Sequence, residues 1–555
     1  MNSESSGSTV AEPPAPAAAN SPTPAAAPAR PPLVINPWII ALAVVIPTFM
    51  EVLDTTIANV ALRYMAGGLS APVSDSEWVI TSYLAANAII LPMSGWLSVR
   101  LGRRNYFLLS IAVFTFASFL CGMASSLGML IGARVLQGLA GGGLQPSSQG
   151  VLLDTFPKEK QAAAQTLFGI AALLAPVIGP TLGGYITDNY GWRWVFYINI
   201  PVGLFALWMC NKLVHDPERL KVEREEMRKK HGHFDTLGLC LLSLVMVCWE
   251  IALSKGQEWD WLGDPEFRVQ TMLIGFVVGL VALIWRETHI ANPLIDFRTL
   301  ADRNFRLCCI IAFCAFAALY ANTTTLPGLL QSLFGYDATT SGLVLSPAGV
   351  GAVIMLFVVG LTLGRGFDAR ILMAGGLIVM GVGAYWMSRF TLDVSPWNVI
   401  WARVVVIAGL SMIFAPLNVL AFFHIPPQLR GAAVGLLALL RNEGGSVGTS
   451  VAKTILDRRE QFHSLRLGEN LDVLNPAVTD FVAQSQAGLL QVTGDPVGAS
   501  QMALQTLANV RDQQSSSLAY FDSFFVFAAV SIPLVWFVFL LKRAVVEKGA
   551  HIAAE

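Results

Sequence analysis

Apolar residues in this chain do not alternate with polar ones; they run on in stretches of about twenty, separated by short polar connectors. A bilayer core is about 30 Å thick and needs about 20 apolar residues in helical form to cross it. By that measure, spans are predicted near 38–58, 79–98, 106–124, 128–153, 165–187 and 194–211. After a polar stretch come 235–254 and 270–285. The rest lie near 307–330, 342–362, 371–388, 398–423, 432–455 and 520–541. The fold class expected is therefore all-α integral membrane, with about fourteen transmembrane helices.

Composition agrees with that pattern. Of 555 residues, 54% are hydrophobic and only 13% are charged, whereas soluble proteins average about 25% charged. A formal charge of -1 gives no reason to expect nucleic acid as a partner. Seven cysteines lie in apolar runs without metal-ligand spacing and are expected to be packing residues. Residues 1–35 are rich in Ala, Pro and Ser, as in a disordered tail. They have no basic start leading into an apolar stretch, so they are not expected to be a signal peptide.

An even number of spans puts both termini on one side, and Lys and Arg decide which. With both cytoplasmic, about 23 of the 36 Lys and Arg fall in inner segments, 9 in outer segments and 4 within spans. Four parts follow between the tails 1–35 and 544–555. A six-helix bundle covers 36–213, a basic cytoplasmic linker 214–234 and two inserted helices 235–290. A second six-helix bundle covers 291–543 and includes a long outer loop, 456–519. Repetition between the halves is weak, though repeats of this kind underlie many transporters.

Charge inside the membrane changes the picture most. An ionisable side chain there costs about 2.5–3.5 kcal/mol on insertion scales, so each one asks for a reason. The first span carries Glu51 and Asp54 in FMEVLDTTIANVAL, one turn apart on one face. Two carboxylates so close in low dielectric do not both ionise easily, which suits a group that takes up and releases protons. The alternative is that Glu51 reaches a wet cavity and Asp54 makes a structural pair. The fourth span offers a counter-charge in Arg134, which is always protonated; a purely structural clamp is the competing role. Gly138, Gly141, Gln145 and Gln149 continue down that helix, small residues for close approach and glutamines for neutral hydrogen bonds. Arg403, Arg441 and Glu443 lie in the twelfth and thirteenth spans; Arg441 and Glu443, two apart, point differently and are not paired. Glu250, in the inserted pair, is expected to be an interfacial carboxylate reaching water. In the fifth span, Pro176 and Pro180 bend the helix. Gly179, Gly183 and Gly184 give it a smooth face suited to an interface between two moving halves.

Several segments together resemble the major facilitator superfamily, specifically its fourteen-span drug:proton antiporters of the EmrB/QacA type. They are LDTTIANVAL at 53–62, Arg134-Val-Leu-Gln137-Gly138, Gly179-Pro180-Thr-Leu-Gly183-Gly184 and WRWVFYINIPVG at 192–203. The resemblance runs from about residue 36 to 543. It implies two six-helix bundles plus two inserted helices, and alternating access with protons entering as a lipophilic or amphipathic compound leaves. It also implies proton coupling through Asp54 and Arg134, and no cofactor beyond the proton gradient. Gln137, Gln145, Gln149, Pro176, Gly179, Pro180, Gly183, Gly184, Arg441 and Glu443 are the candidates for the substrate cavity and its gating. The extended outer loop implies an EmrA/HlyD-type periplasmic adaptor, a TolC-like outer-membrane channel and a bacterial inner-membrane location. The loop after the second span departs from the family pattern: Gly95, Arg100, Gly102, Arg103 and Arg104 are in place, but Val99 replaces the usual acid. Asp368 with Arg370, in the corresponding loop of the second half, is the candidate to compensate. Arg63 replaces a proline at the end of the first signature. The expected function is proton-coupled multidrug efflux. A dedicated exporter of one metabolite (siderophore, lipid or fatty acid) and a non-transporting membrane scaffold or sensor are the alternatives. An enzyme is not expected, for no nucleophile–base set, metal site or phosphate loop is found.

Overall fold

Long apolar runs in a medium without water can satisfy their backbone groups only within themselves, which makes them helices. A computed structural model describes residues 36–543 apart from 217–224, 226–234, 291–292 and 473. The two tails and most of the basic linker thus lie outside the described residues. Among the described residues every regular element is a helix.

The first bundle comprises Pro37–Gly68, Trp78–Leu101, Arg103–Gly122, Leu127–Thr155, Lys158–Tyr190 and Trp194–Leu213. The fourth of these breaks at Gly142 and Gly143, and the sixth begins with a separate turn, Trp194–Tyr197. The inserted pair is Thr236–Lys255 and Arg268–His289. The second bundle follows as Arg303–Ser332, Thr339–Gly364, Ala369–Ser388, Pro396–Phe422, Arg430–Gly468 and Pro496–Phe539. Short polar side chains cap several starts: Asp302 accepts from the Phe305 N–H at 2.8 Å and Asp235 from that of Gly238 at 2.8 Å.

Thirteen of these helices are long and apolar enough to cross a membrane. The thirteenth predicted span, Arg430–Gly468, is 39 residues long but is not one of them. Arg441 and Glu443 are buried against other helices and a polar outer end follows, so its sequence is less apolar than its neighbours'.

The first span packs on the fifth, and the fifth in turn packs on the tenth and twelfth, so it lies between the two bundles. The second span packs on the thirteenth, closing the other side of the interface. The first inserted helix lies against the second and thirteenth spans, while the second inserted helix packs chiefly on the first and faces outward.

The stretch 456–519, expected as a loop, is mostly helical. Arg430–Gly468 continues past its predicted end, Pro476–Thr493 follows, and the 44-residue helix Pro496–Phe539 returns. At 1.5 Å per residue, 39 and 44 residues give about 58 and 66 Å, well beyond a 30 Å core. Arg459 and His463 both hold Asp522, at 2.5 and 2.7 Å, tying the two extensions together.

Candidate functional site

Asp54 and Arg134 meet. Arg134 Nη1 donates to Asp54 Oδ2 at 2.6 Å, and both side chains are buried. Asp54 Oδ1 accepts from Gln137 Nε2 at 3.0 Å and from Asn199 Nδ2 at 2.7 Å. Asn199 donates also to Ser118 Oγ at 3.0 Å. The guanidinium is fixed further by Val79 O at 3.1 Å and Gln137 Oε1 at 2.8 Å, with the Tyr83 ring 4.2 Å from its centre. Three donors on the carboxylate, and a carbonyl, an amide and a ring around the guanidinium, offset part of the cost of burying the pair, although Arg134 Nη2 has no hydrogen-bond partner among the described residues. The helices that bring them together need glycine. Gly138 lies against the second-span backbone at Tyr83, and Gly179 and Gly183 lie against Thr56 and Ile57 of the first span. Gly184 is also buried, and Pro176 and Pro180 stand inside the unbroken fifth helix.

Glu51, one turn away, has different surroundings. Its Oε2 accepts from Gln145 Nε2 at 2.7 Å; its Oε1 accepts from Tyr83 Oη at 3.2 Å and Asn87 Nδ2 at 3.3 Å. It also lines an open cavity of about 250 Å³ bordered by the first, second, fourth, seventh, ninth and thirteenth spans. Tyr320, Glu250, Asn442 and Gln145 contribute to its wall, and Glu77 and Lys453 lie at one end. Asp54 is not in that wall, and of the candidate cavity residues Gln145 alone is among the described residues that line it; the others pack between helices away from it. The acid exposed to the cavity and the acid paired with arginine are thus different residues.

Gln149 joins the bundles: its Nε2 donates to Asn418 of the twelfth span at 2.9 Å and to Gln165 of the fifth at 3.1 Å. Arg441 and Glu443 point apart, as their spacing predicts. Arg441 sits among Phe168, Phe316 and Phe414, 5.6–5.8 Å from each ring, and its Nε and Nη2 have no partner among the described residues. Arg403 donates to Asn322 and, at 2.9 Å, to Thr323. Glu250 is not interfacial: it is 2% exposed and accepts from Ser446 Oγ at 3.0 Å. The thirteenth span covers it, a long-range contact that one helix pattern cannot reveal.

Around the loop after the second span, Gly102 has φ 86°, a left-handed conformation that glycine takes without strain. Arg103 bonds Asp154 at the end of the fourth span and donates to Gly150 O at 2.9 Å. Arg104 reaches Asn211 Oδ1 at 2.6 Å, and Arg100 stacks on Trp96 at 5.0 Å. Asp368 pairs with Arg370 at 2.9 Å and Arg543 at 3.3 Å, all within the second bundle. The acids facing the first-half loop are therefore Asp154 and Asp216, whose Oδ1 accepts from the Arg104 N–H at 2.7 Å, and Asp368 makes no ion pair with that loop. The contact across the halves here is backbone on backbone: a Cβ on Gly95 would stand 2.5 Å from the carbonyl carbon of Gly431.

Sequence reasoning did not single out Asn199, Tyr83, Asn87, Asn418 or Asp154. Buried Asn and Tyr in apolar spans were the available signal. Among the described residues no His, Cys, Asp and Glu group could hold a metal.

Residues 44–449 match the family model of the Major Facilitator Superfamily. The chain belongs to that superfamily. The multidrug export protein EmrB of Escherichia coli (strain K12) is 34% identical over 501 residues, 90% of this chain and 94% of its own. The fatty acid resistance protein FarB of Neisseria gonorrhoeae is 33% identical over 503 residues, 90% and 95% of the two chains. The solved proton:xylose symporter XylE, bound to 6-bromo-6-deoxy-D-glucose, superposes with TM-score 0.55 at 12% identity. It covers 91% of this chain and 95% of its own, and supports the fold alone. This superfamily member is thus a multi-pass membrane transporter of the EmrB and FarB type, and not an enzyme.

Proposed function

We propose that this protein is a proton-coupled multidrug exporter working by alternating access in a bacterial inner membrane, with both termini cytoplasmic. The observation that carries the proposal is Asp54, held by Arg134, Gln137 and Asn199 one turn from Glu51 in the cavity wall. Lipophilic or amphipathic compounds bind the cavity between the halves. A proton on Asp54 cancels its charge, loosens Arg134 and lets the first and fourth spans shift; Glu51 takes part from the cavity side. The membrane potential supplies about 2.3 kcal/mol per charge per 100 mV, enough to drive an exchange that moves net charge. No cofactor is needed beyond that gradient. The cavity extends toward Glu77 and Lys453, outer residues in the proposed orientation, while Gly95 and Gly431 close the opposite side. The helical projection beyond the membrane carries exposed Leu465, Leu474, Val492 and Val497. It supports an EmrA/HlyD-type adaptor leading to a TolC-like channel.

The test is proton flux in proteoliposomes with an imposed pH gradient, wild type beside Asp54→Asn. Compound-dependent flux that disappears in Asp54→Asn is expected; a variant that exports and moves protons normally would remove Asp54 from the mechanism.

A second substrate class, single amphipathic carboxylates such as fatty acids, is favoured by Arg441. It is a buried cation among three aromatic rings with two guanidinium nitrogens unpartnered, and FarB is among the similar proteins. Competition between fatty acids and cationic dyes for binding to wild type and Arg441→Gln separates the two. Loss of fatty-acid binding alone in the variant supports the narrow class.

A further inference from the structure

The inserted helix Thr236–Lys255 is more than a spacer between bundles. On its seam with the thirteenth span, Glu250 and Glu443 are 2% and 6% exposed, and Ser446, one helical turn after Glu443, reaches Glu250, which puts both carboxyl groups on that seam. Ser446 donates to Glu250 Oε1 at 3.0 Å. Glu443 has no such support: neither of its oxygens has a hydrogen-bond partner among the described residues. An ionised carboxylate stripped of water and donors is costly, and a second one beside it repels it. One proton resolves both problems, because a protonated carboxyl is itself the donor its neighbour lacks. We propose that Glu250 and Glu443 form a proton-binding site shared between the inserted pair and the thirteenth span.

The surrounding charges leave that proton without a substitute. On the same helix, Lys255 is held by Glu77 at 3.2 Å and Glu258 at 2.6 Å. On the thirteenth span, Lys453 is held by Glu77 at 3.2 Å, and Arg441 lies within its phenylalanines. The second span contributes only Glu77, just before its start. On the second inserted helix, Arg268 pairs with Asp264 and Glu266, and Arg286 with Asp235. Glu287 there accepts from the Leu294 and Ile295 N–H groups. Across the cavity Glu51 is engaged by Gln145, and Tyr320 carries no charge to offer. Glu250 also lines the cavity, so the shared proton exchanges with the space that substrate occupies. Resting on the exporter reading, this makes the inserted helix part of the coupling: losing the proton drives the two carboxylates, and hence the two helices, apart.

Infrared titration of the full-length protein in lipid nanodiscs tests the site directly, with Glu250→Gln and Glu443→Gln beside wild type. A protonated-carboxyl band present at neutral pH in wild type, and lost or shifted in both variants, is expected. Absence of the band in wild type, or a band that both variants leave unchanged, overturns the proposal. If a glutamine variant does not fold, Glu250→Asp or Glu443→Asp must move the band's frequency. In proteoliposomes, the protons moved per substrate should fall in both glutamine variants, and an unchanged ratio excludes the pair from coupling. If wild type itself moves no protons, the exporter reading fails while the infrared band still decides the shared proton.

Discussion

Glu51 and Asp54 share a helix face but not a fate. Asp54 is closed in by Arg134, Gln137 and Asn199, so removing the arginine strands a buried anion. Breaking such a pair costs about 3–5 kcal/mol. Arg134→Ala should therefore unfold at markedly lower temperature in nanodiscs, and adding Asp54→Asn should recover part of the loss. If the double variant is no better than the single one, the charge pair is not what stabilises the site. A second prediction concerns Asp264, outside the membrane between the inserted helices. The Arg268 guanidinium, then the N–H groups of Glu266, Arg268 and Val269, bring its carboxyl down to about 2 from an ordinary 3.8. A depressed carboxyl stabilises above its unfolded pKa, and the gain disappears as pH falls through the folded one. Asp264→Asn should accordingly lower thermal stability at neutral pH. The gap from wild type should close as pH drops from about 4 toward 2. A gap independent of pH would mean that the hydrogen bonds, not the charge, matter.

At the scale of the helix, glycine decides how closely spans approach. A Cβ on Gly95 would stand 2.5 Å from the carbonyl carbon of Gly431, with backbone rather than flexible side chain in the way. Gly95→Leu should separate the second and thirteenth spans at that end. Labelling of a cysteine placed at Ser98 should then speed up, and compound transport should fall; unchanged labelling would show that the contact is not a closure. Gly179→Val, by contrast, meets Thr56 within one bundle. It should cost about 1–3 kcal/mol of stability by overpacking, read as a lower midpoint in thermal unfolding. The proline and glycine pattern of the fifth span was legible in the sequence, but its smooth face was expected between the halves, and Gly179 and Gly183 instead meet the first span of their own bundle. Which helix each glycine meets was not legible, because a single helix pattern shows a smooth face without naming its partner.

Across the whole molecule, the two long helices of the second bundle carry a projection beyond the membrane. Replacing residues 469–495 with a short Gly/Ser linker leaves the interface between the bundles untouched. Compound-driven flux in proteoliposomes should persist, while capture of an EmrA-type adaptor should fall. Loss of flux together with capture would place the projection inside the transport cycle instead.

Apolar run length gives the helical nature of the spans and all but one of them, because a run of about twenty apolar residues crosses a bilayer as a helix; the thirteenth is the exception, its apolar signal lowered by Arg441, Glu443 and its polar end. The pairing of Asp54 with Arg134 was also legible, since two buried opposite charges in neighbouring spans have few other partners. The outer stretch 456–519 was harder. Its polar residues suppress the apolar signal, yet helix continues wherever the ends of two packed spans propagate it. Only tertiary structure placed Glu51 in the cavity wall and Asp54 outside it. It alone turned Glu250 from a solvent-reaching carboxylate into the buried neighbour of Glu443. It likewise gave Arg103 its acid in Asp154 rather than in the opposite half. The physical reason is the same each time. The solvation of a charge depends on what covers it, and that cover comes from helices distant in sequence.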